Sequence, residues 1–181
     1  MRVIAGSLKG RRLKAPTWDG LRPTSDKLRE TLFNILAPRI AGARVLDGYA
    51  GTGAVGIEAL SRGAAAVTFV EIDRRAQTLI EENLAHCGIE NGYAIIRASV
   101  ARALPQLRAT GASFDVVLLD PPYDQEPGTD FKALEDVMAP NGIVVVEHGR
   151  RRAAPEQLGR LVRSRDVRSG DSVLTFYELI I

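Results

Sequence analysis

The sequence predicts an α/β fold. It reads as a mostly parallel, seven-stranded sheet covered by helices on both faces, with an antiparallel C-terminal hairpin and an N-terminal β-hairpin extension. Three observations predict it. From Gly42 onward, short β-branched apolar runs alternate with stretches whose apolar residues recur at helical spacing. A glycine-rich turn, "GYAGTGAVG", sits where the first of those runs meets its helix. The closing "VRSRDVRSGDSVLTFYELI" reads as a hairpin around Gly170-Asp171.

Taken in order, "RVIAG" and "RRLK" are two short strands around the turn "SLKG". Pro16, Gly20 and Pro23 break up a connector. A helix follows, capped by Thr24 or Ser25, with Asp26 in its first turn and Leu28, Leu32, Ile35 and Leu36 on one face. Pro38 marks its end. "ARVLD" is a strand and "GAVGIEALSRG" a helix stopped at Gly63; "AAVTFVE" is the next strand. "RRAQTLIEENLAHCG" is a helix with Asp73 as its N-cap and Gly88 as its stop. "YAIIRA" is a strand, "ARALPQL" a short helix and "FDVVLLD" a strand. "FKALEDVM" is expected to be a helix, "GIVVVEH" a strand and "PEQLGRL" a helix before the final hairpin. Residues 1–23 divide off as hairpin extension and connector, leaving 24–181 as one domain.

The 181 residues suffice for a single core, and 45% hydrophobic with 25% charged is ordinary for a soluble chain. No apolar run approaches membrane-spanning length, and the basic N-terminus has no apolar signal-like core, so a cytoplasmic protein is expected. One cysteine, Cys87, and two histidines offer neither a disulfide nor a metal-ligand pattern. Net charge is +2 but uneven: residues 1–29 carry +6 and the remainder −4. A basic segment on a mildly acidic body suits a polyanion such as nucleic acid; a solvated charged surface is the plainer reading.

Gly51, Gly53 and Gly56 match G-x-G-x-x-G, with Glu71 twenty residues after Gly51. That pattern taken alone suggests a nicotinamide dinucleotide. Asp47 separates the ligands. It ends the strand just before the turn, where its charge would repel a pyrophosphate. S-adenosyl-L-methionine has no phosphate, and its ammonium suits Asp47. Glu71 can accept hydrogen bonds from ribose hydroxyls, a role that serves either ligand.

Asp120 closes the strand "FDVVLLD", and ligands in open α/β sheets bind outside the carboxyl ends of strands. Pro121 and Pro122 have no N–H and a fixed φ, so their carbonyls are acceptors held in place. Asp120 with a proline carbonyl is an acceptor-only cluster fitted to an NH₂ group, and Tyr123 offers a flat face for a base. An exocyclic amine has its lone pair delocalised into the ring. Two acceptors on its hydrogens localise and aim that pair at a sulfonium methyl, so the protein supplies mainly alignment and electrostatics. Asp120 is expected to act as an acceptor, not as a strong base.

"DPPY" resembles the [DN]PP[YFW] motif of amino-methyltransferases. Together with "VLDGYAGTGAVGIEALSRGA", "GRRLKAP…LRPTSDKLRETLFNIL" and "SGDSVLTFYEL", nearly the whole chain is similar to the RsmD family of bacterial 16S rRNA (guanine-N2)-methyltransferases. The resemblance implies a class I, Rossmann-like methyltransferase fold with S-adenosyl-L-methionine as methyl donor. It implies transfer to N2 of one guanine in 16S rRNA, within an assembled or partly assembled small ribosomal subunit; the chain is expected to be a monomer. By position, Asp47, Gly48, Gly51, Thr52 and Gly53 would hold the methionine end, Glu71 and Ile72 the ribose side, and Ser99 and Val100 the adenine. Asp120, Pro121, Pro122 and Tyr123 would hold the target base, with Asp120 also facing the cofactor. The family's pattern differs at Gly48-Tyr49, where Leu or Phe are common, and at Ser99, where many members carry Asp or Asn.

Lys9, Arg11 and Arg12 on the extension, and Arg22, Thr24, Lys27 and Arg29 around the first helix start, are the RNA-contact candidates. Arg150, Arg151 and Arg152 are either an RNA guide or a solvated loop. Glu147 is read equally as structural or functional, Trp18 as a stacking residue or a core cover, and His86 and His148 as structural. A DNA or other RNA amino-methyltransferase, and a NAD-dependent oxidoreductase, stand as alternatives.

Overall fold

Strands β1 (Arg44–Gly48), β2 (Ala66–Val70), β3 (Tyr93–Ile96), β4 (Phe114–Leu119) and β5 (Met138–Gly149) run parallel in the order β3-β2-β1-β4-β5. β8 (Ser172–Leu179), β7 (Leu161–Ser169) and β6 (Gln157–Leu158) extend the sheet antiparallel from β5. This arrangement is seen in a computed structural model that describes residues 1–21, 23–122, 131 and 133–180. Helices α1 (Asp26–Ile40), α2 (Ala54–Ser61) and α3 (Arg74–His86) cover one face, and α4 (Val100–Ala109) packs on the other. No helix among the described residues is long and apolar enough to cross a membrane.

Strand alternation builds both cores. Val45, Val116, Leu118, Ile143 and Val145 face α1 and α2, whereas Leu46, Val117, Leu119, Val144 and Val146 face α4. Both faces are buried, so the central strands read as continuous apolar runs. α1 is capped by the Ser25 hydroxyl accepting from the Leu28 N–H at 3.1 Å, and it runs past Pro38 to Ile40. Asp73 caps α3 as expected from its position.

Three expectations are corrected. The helix expected over residues 131–138 does not form over 133–138: Glu135–Val137 form a single 3₁₀ turn that buries Leu134 and Val137, and Met138 already belongs to β5; residue 132 lies outside the described residues. "PEQLGRL" is not a helix either. Gly159, at φ 60°, opens a two-residue turn that pairs Leu158 with Leu161 and adds an eighth strand. The N-terminal hairpin is a tight reversal with one bridge, Arg2 to Arg12, and three backbone bonds linking residues 1–3 to residues 10–13.

That extension is docked rather than free. The fully buried Glu58 carboxylate accepts from the Ile4 and Ala5 N–H groups at 2.8 and 3.0 Å and from Arg62 at 2.7 Å. Ser61 bonds Ala5 and Leu8, and a Cβ on Gly6 would lie 1.9 Å from the Ser61 carbonyl oxygen. Asn83 of α3 clamps the Lys14 backbone on both its N–H and its carbonyl, and also holds the Thr52 carbonyl at 2.9 Å. Glu58→Ala strands two amides and a guanidinium. It should lower stability by roughly 2–4 kcal/mol in urea unfolding and speed tryptic cleavage at Lys9, Arg11 and Arg12 under native conditions.

Candidate active site

The glycine turn is fixed by two carboxylates. Asp47, at the end of β1, accepts from the Gly56 N–H in the first turn of α2 at 2.9 Å. Glu71, one residue past β2, accepts from Gly51 N–H and Asp73 N–H, both at 2.8 Å. Gly51 and Gly53 adopt φ 57° and 77°, a conformation an L side chain rarely takes. The Thr52 hydroxyl accepts from Ala54 N–H at 3.3 Å. Two donors at the start of α2, the Ala54 and Gly56 N–H groups, are thus already satisfied from within, by a hydroxyl and a carboxylate. A pyrophosphate at a helix N-terminus needs such donors free and no anion beside them, so the turn does not suit a dinucleotide. A cationic ligand without phosphate fits it.

Strand parity gathers the charged side chains. Asp47 continues the Val45 row, Asp120 the Val116–Leu118 row and Glu147 the Ile143–Val145 row, all on the face covered by α1. β4 and β5 pair Leu118 with Val145 and Leu119 with Val146, so one further step brings Asp120 beside Glu147. These three carboxylates line one crevice of about 30 Å³ with Thr24, just before α1, and Leu28 and Leu32 of α1. Among the described residues no group of three side chains is placed to hold a metal ion.

Burial pushes the Asp47 carboxyl up to about 8; the Gly56 bond opposes the rise and the nearby Glu71 charge adds to it. Burial also holds Asp120 well above the ordinary carboxylate range, reinforced by the charges of Glu147 and Asp47. Glu147 is raised by burial against the opposing bond from the Ser172 hydroxyl, which donates to its Oε1 at 3.0 Å. The crevice therefore resists negative charge until a cation or a set of donors enters it.

The expected site residues separate into groups. Asp47, Gly51, Gly53, Glu71 and Asp120 stand around the turn and the crevice. Ile72 is 69% exposed immediately beyond Glu71, an apolar surface beside that carboxylate. Pro121 is buried and Pro122 exposed; Tyr123 and Arg22 lie outside the described residues. Gly48 and Val100 offer no surface. A Cβ on Gly48 would meet Leu119 Cδ2 at 2.5 Å, and Val100 is buried in the core under α4. The Ser99 hydroxyl is the N-cap of α4, and buried Thr52 serves the turn.

Lys9, Arg11, Arg12 and Lys27 are exposed. Arg29 is not an RNA contact: it is fully buried and donates to the Arg2 carbonyl and to Asp26. Thr24 belongs to the crevice wall. Sequence reading left Glu147 open, although Ile143, Val145 and Glu147 share the parity of Val116, Leu118 and Asp120. It also missed how the connector touches the site. Leu21 lies 3.1 Å from where a Gly51 Cβ would be, and the Trp18 ring sits under Arg75 at 5.0 Å.

Asp47 gives a signed pH effect. Its folded value of about 8 exceeds the ordinary carboxylate value near 4. Its contribution to stability is complete below about pH 4 and is lost as pH rises through 8. Asn at this position keeps an acceptor for Gly56 and cannot ionise. Asp47→Asn should melt progressively higher than the unmutated protein between pH 5 and pH 8, by several degrees at the upper end, in thermal unfolding without ligand.

Comparison with known proteins agrees with this geometry. The family model described as "Conserved hypothetical protein 95" matches residues 1–178. YlbH of Bacillus subtilis (strain 168) is 37% identical, over 98% of both chains. Ribosomal RNA small subunit methyltransferase D of Haemophilus influenzae is 39% identical, over 81% of this chain and 78% of that one. The solved structure of yhhF from Escherichia coli superposes with a TM-score of 0.84 at 34% identity, over 99% of this chain and 97% of that one. The fold is that of the class I methyltransferases, and the chain belongs to the RsmD family of ribosomal RNA small subunit methyltransferases.

Proposed function

We propose that this protein transfers a methyl group from S-adenosyl-L-methionine to the exocyclic N2 of one guanine in 16S rRNA. The observation that carries the reading is the crevice. It sets a glycine turn, with Asp47 already bonded to the Gly56 N–H of the following helix, beside Asp120 at the carboxyl end of the neighbouring strand β4. Bound there, S-adenosyl-L-methionine supplies an electrophilic methyl on a sulfonium cation. Asp47 keeps one oxygen on Gly56 and presents the other to the methionine ammonium. Glu71 keeps its backbone bonds and has lone pairs left for ribose hydroxyls. Ile72 flanks the adenine.

Asp120 and the Pro121 carbonyl accept from the target NH₂ and aim its lone pair. Desolvation in the crevice strengthens those contacts. Lys9, Arg11, Arg12 and Lys27 supply exposed positive charge to phosphates. The docked extension holds three of these cations at a fixed position relative to the crevice, which suits a structured RNA. We place the substrate in an assembled or partly assembled small subunit, met by a single copy of this chain.

Transfer is tested with small subunits from a strain lacking the gene and methyl-labelled S-adenosyl-L-methionine. The unmutated protein should label 16S rRNA, and Asp120→Ala should lose about a hundredfold or more in rate. The affinity of the variant for S-adenosylhomocysteine should stay within a few-fold. Label entering duplex DNA and not ribosomal RNA overturns the reading.

A further inference from the structure

The face of β5 beside Asp120 holds an ionisable group that substrate positioning by the Asp-Pro-Pro segment leaves unused. Continuing the β4–β5 register one step beyond Leu119–Val146 sets Glu147 next to Asp120, on the same face and about 5 Å away between backbones. Both line the crevice with Asp47. β8 holds Glu147 from the other side: Ser172 donates to Oε1, leaving Oε2 without a bond among the described residues. Thr24, just before α1, and Leu28 and Leu32 of α1 close the crevice, none of them charged. Among the described residues, the charged groups lining the crevice with Glu147 are Asp120 from β4 and Asp47 from β1.

Two neighbouring carboxylates in a part-buried crevice do not both ionise easily. An NH₂ group resolves that conflict, because it brings two hydrogens to two acceptors. It also brings a proton that must leave, since a methylated amine would otherwise keep a positive charge.

We propose that Glu147 is a second catalytic carboxylate, which accepts one N–H of the target amine and takes its proton as the methyl arrives. The amine lone pair forms the new N–C bond. The C–S bond breaks and its electron pair stays on sulfur, giving the neutral thioether. One N–H proton passes to Glu147 Oε2, leaving a neutral secondary amine, and Glu147 returns that proton to water after release. Asp120 keeps the bond to the other hydrogen and fixes the direction of attack, while the Pro121 carbonyl shares the hydrogen that Glu147 takes. No strong base is needed, because the amine becomes acidic only as the N–C bond forms. A carboxylate raised by burial sits closer to the working pH than an ordinary one.

This inference rests on amine methylation as the activity, and its test separates the two. Glu147→Gln keeps the size of the side chain and its bond to Ser172, but accepts no proton. With small subunits as substrate, kcat should fall about a hundredfold, while KM for the subunit and the affinity for S-adenosylhomocysteine change less than threefold. The acidic limb of the kcat–pH profile should lose the component that belongs to Glu147. Glu147→Asp should recover part of kcat and restore that limb.

A purely structural Glu147 would instead lower melting temperature, binding and kcat together, with Asp no better than Gln, and that result overturns the proposal. So does a Glu147→Gln variant with unchanged kcat and pH profile. If Glu147→Gln does not fold, Glu147→Asp and Ser172→Ala decide. Both should keep binding and show a shifted acidic limb, and unshifted limbs in both overturn the proposal. If the unmutated protein labels no ribosomal RNA, the proposed function fails rather than this inference.

Discussion

The in-register pairing of β1, β4 and β5 is the constraint on which the site depends. In a parallel sheet, neighbours share parity, so residues at matched positions point to the same face. That rule places Val45, Val116, Leu118, Ile143 and Val145 in one core and Asp47, Asp120 and Glu147 above them. A one-residue slip in β5 would turn Glu147 toward α4 and put His148 in the crevice. In the observed register His148 is buried on the opposite side and bonds Thr175 at 2.8 Å, which in turn bonds Asp166. The network around His148 and the carboxylate row thus select the same register from opposite faces.

The backbone around the crevice is organised by carboxylates at fixed positions. Asp47 ties β1 to α2, and Glu71 ties the end of β2 to the glycine turn and to the start of α3. Glu58 ties α2 to the N-terminal extension, and Asn83 ties α3 to the same extension and to the turn. Each group satisfies backbone amides that would otherwise be buried without partners, which is costly. The extension and the ligand turn are consequently one mechanical unit. Its exposed cations keep a set distance from the crevice.

Much of this was legible in the sequence because it depends on local chemistry. The glycines of the turn, the Asp73 cap, the strand-end positions of Asp47, Glu71 and Asp120, and the order of strands and helices all follow from spacing and residue type. What was not legible depends on tertiary pairing. Arg29 reads as a surface cation until the N-terminal reversal covers it. That the Ser99 hydroxyl caps α4 and the Val100 side chain enters the core is decided by tertiary packing rather than by spacing. Residues 131–138 and 155–161 have helical composition, but each is too short to nucleate without support, and burial of Leu134 and pairing across Gly159 decide otherwise. Glu147 became a site residue only through the register between two strands.

The arrangement of the crevice is tested most directly by a crystal structure of the protein with S-adenosylhomocysteine bound. The account predicts ribose hydroxyls on Glu71, the amino-acid end over Gly51–Gly53 with its ammonium toward Asp47, and the sulfur facing the gap beside Asp120 and Glu147. A ligand whose sulfur points away from those two carboxylates, or which binds outside the carboxyl ends of β1 and β4, would contradict it.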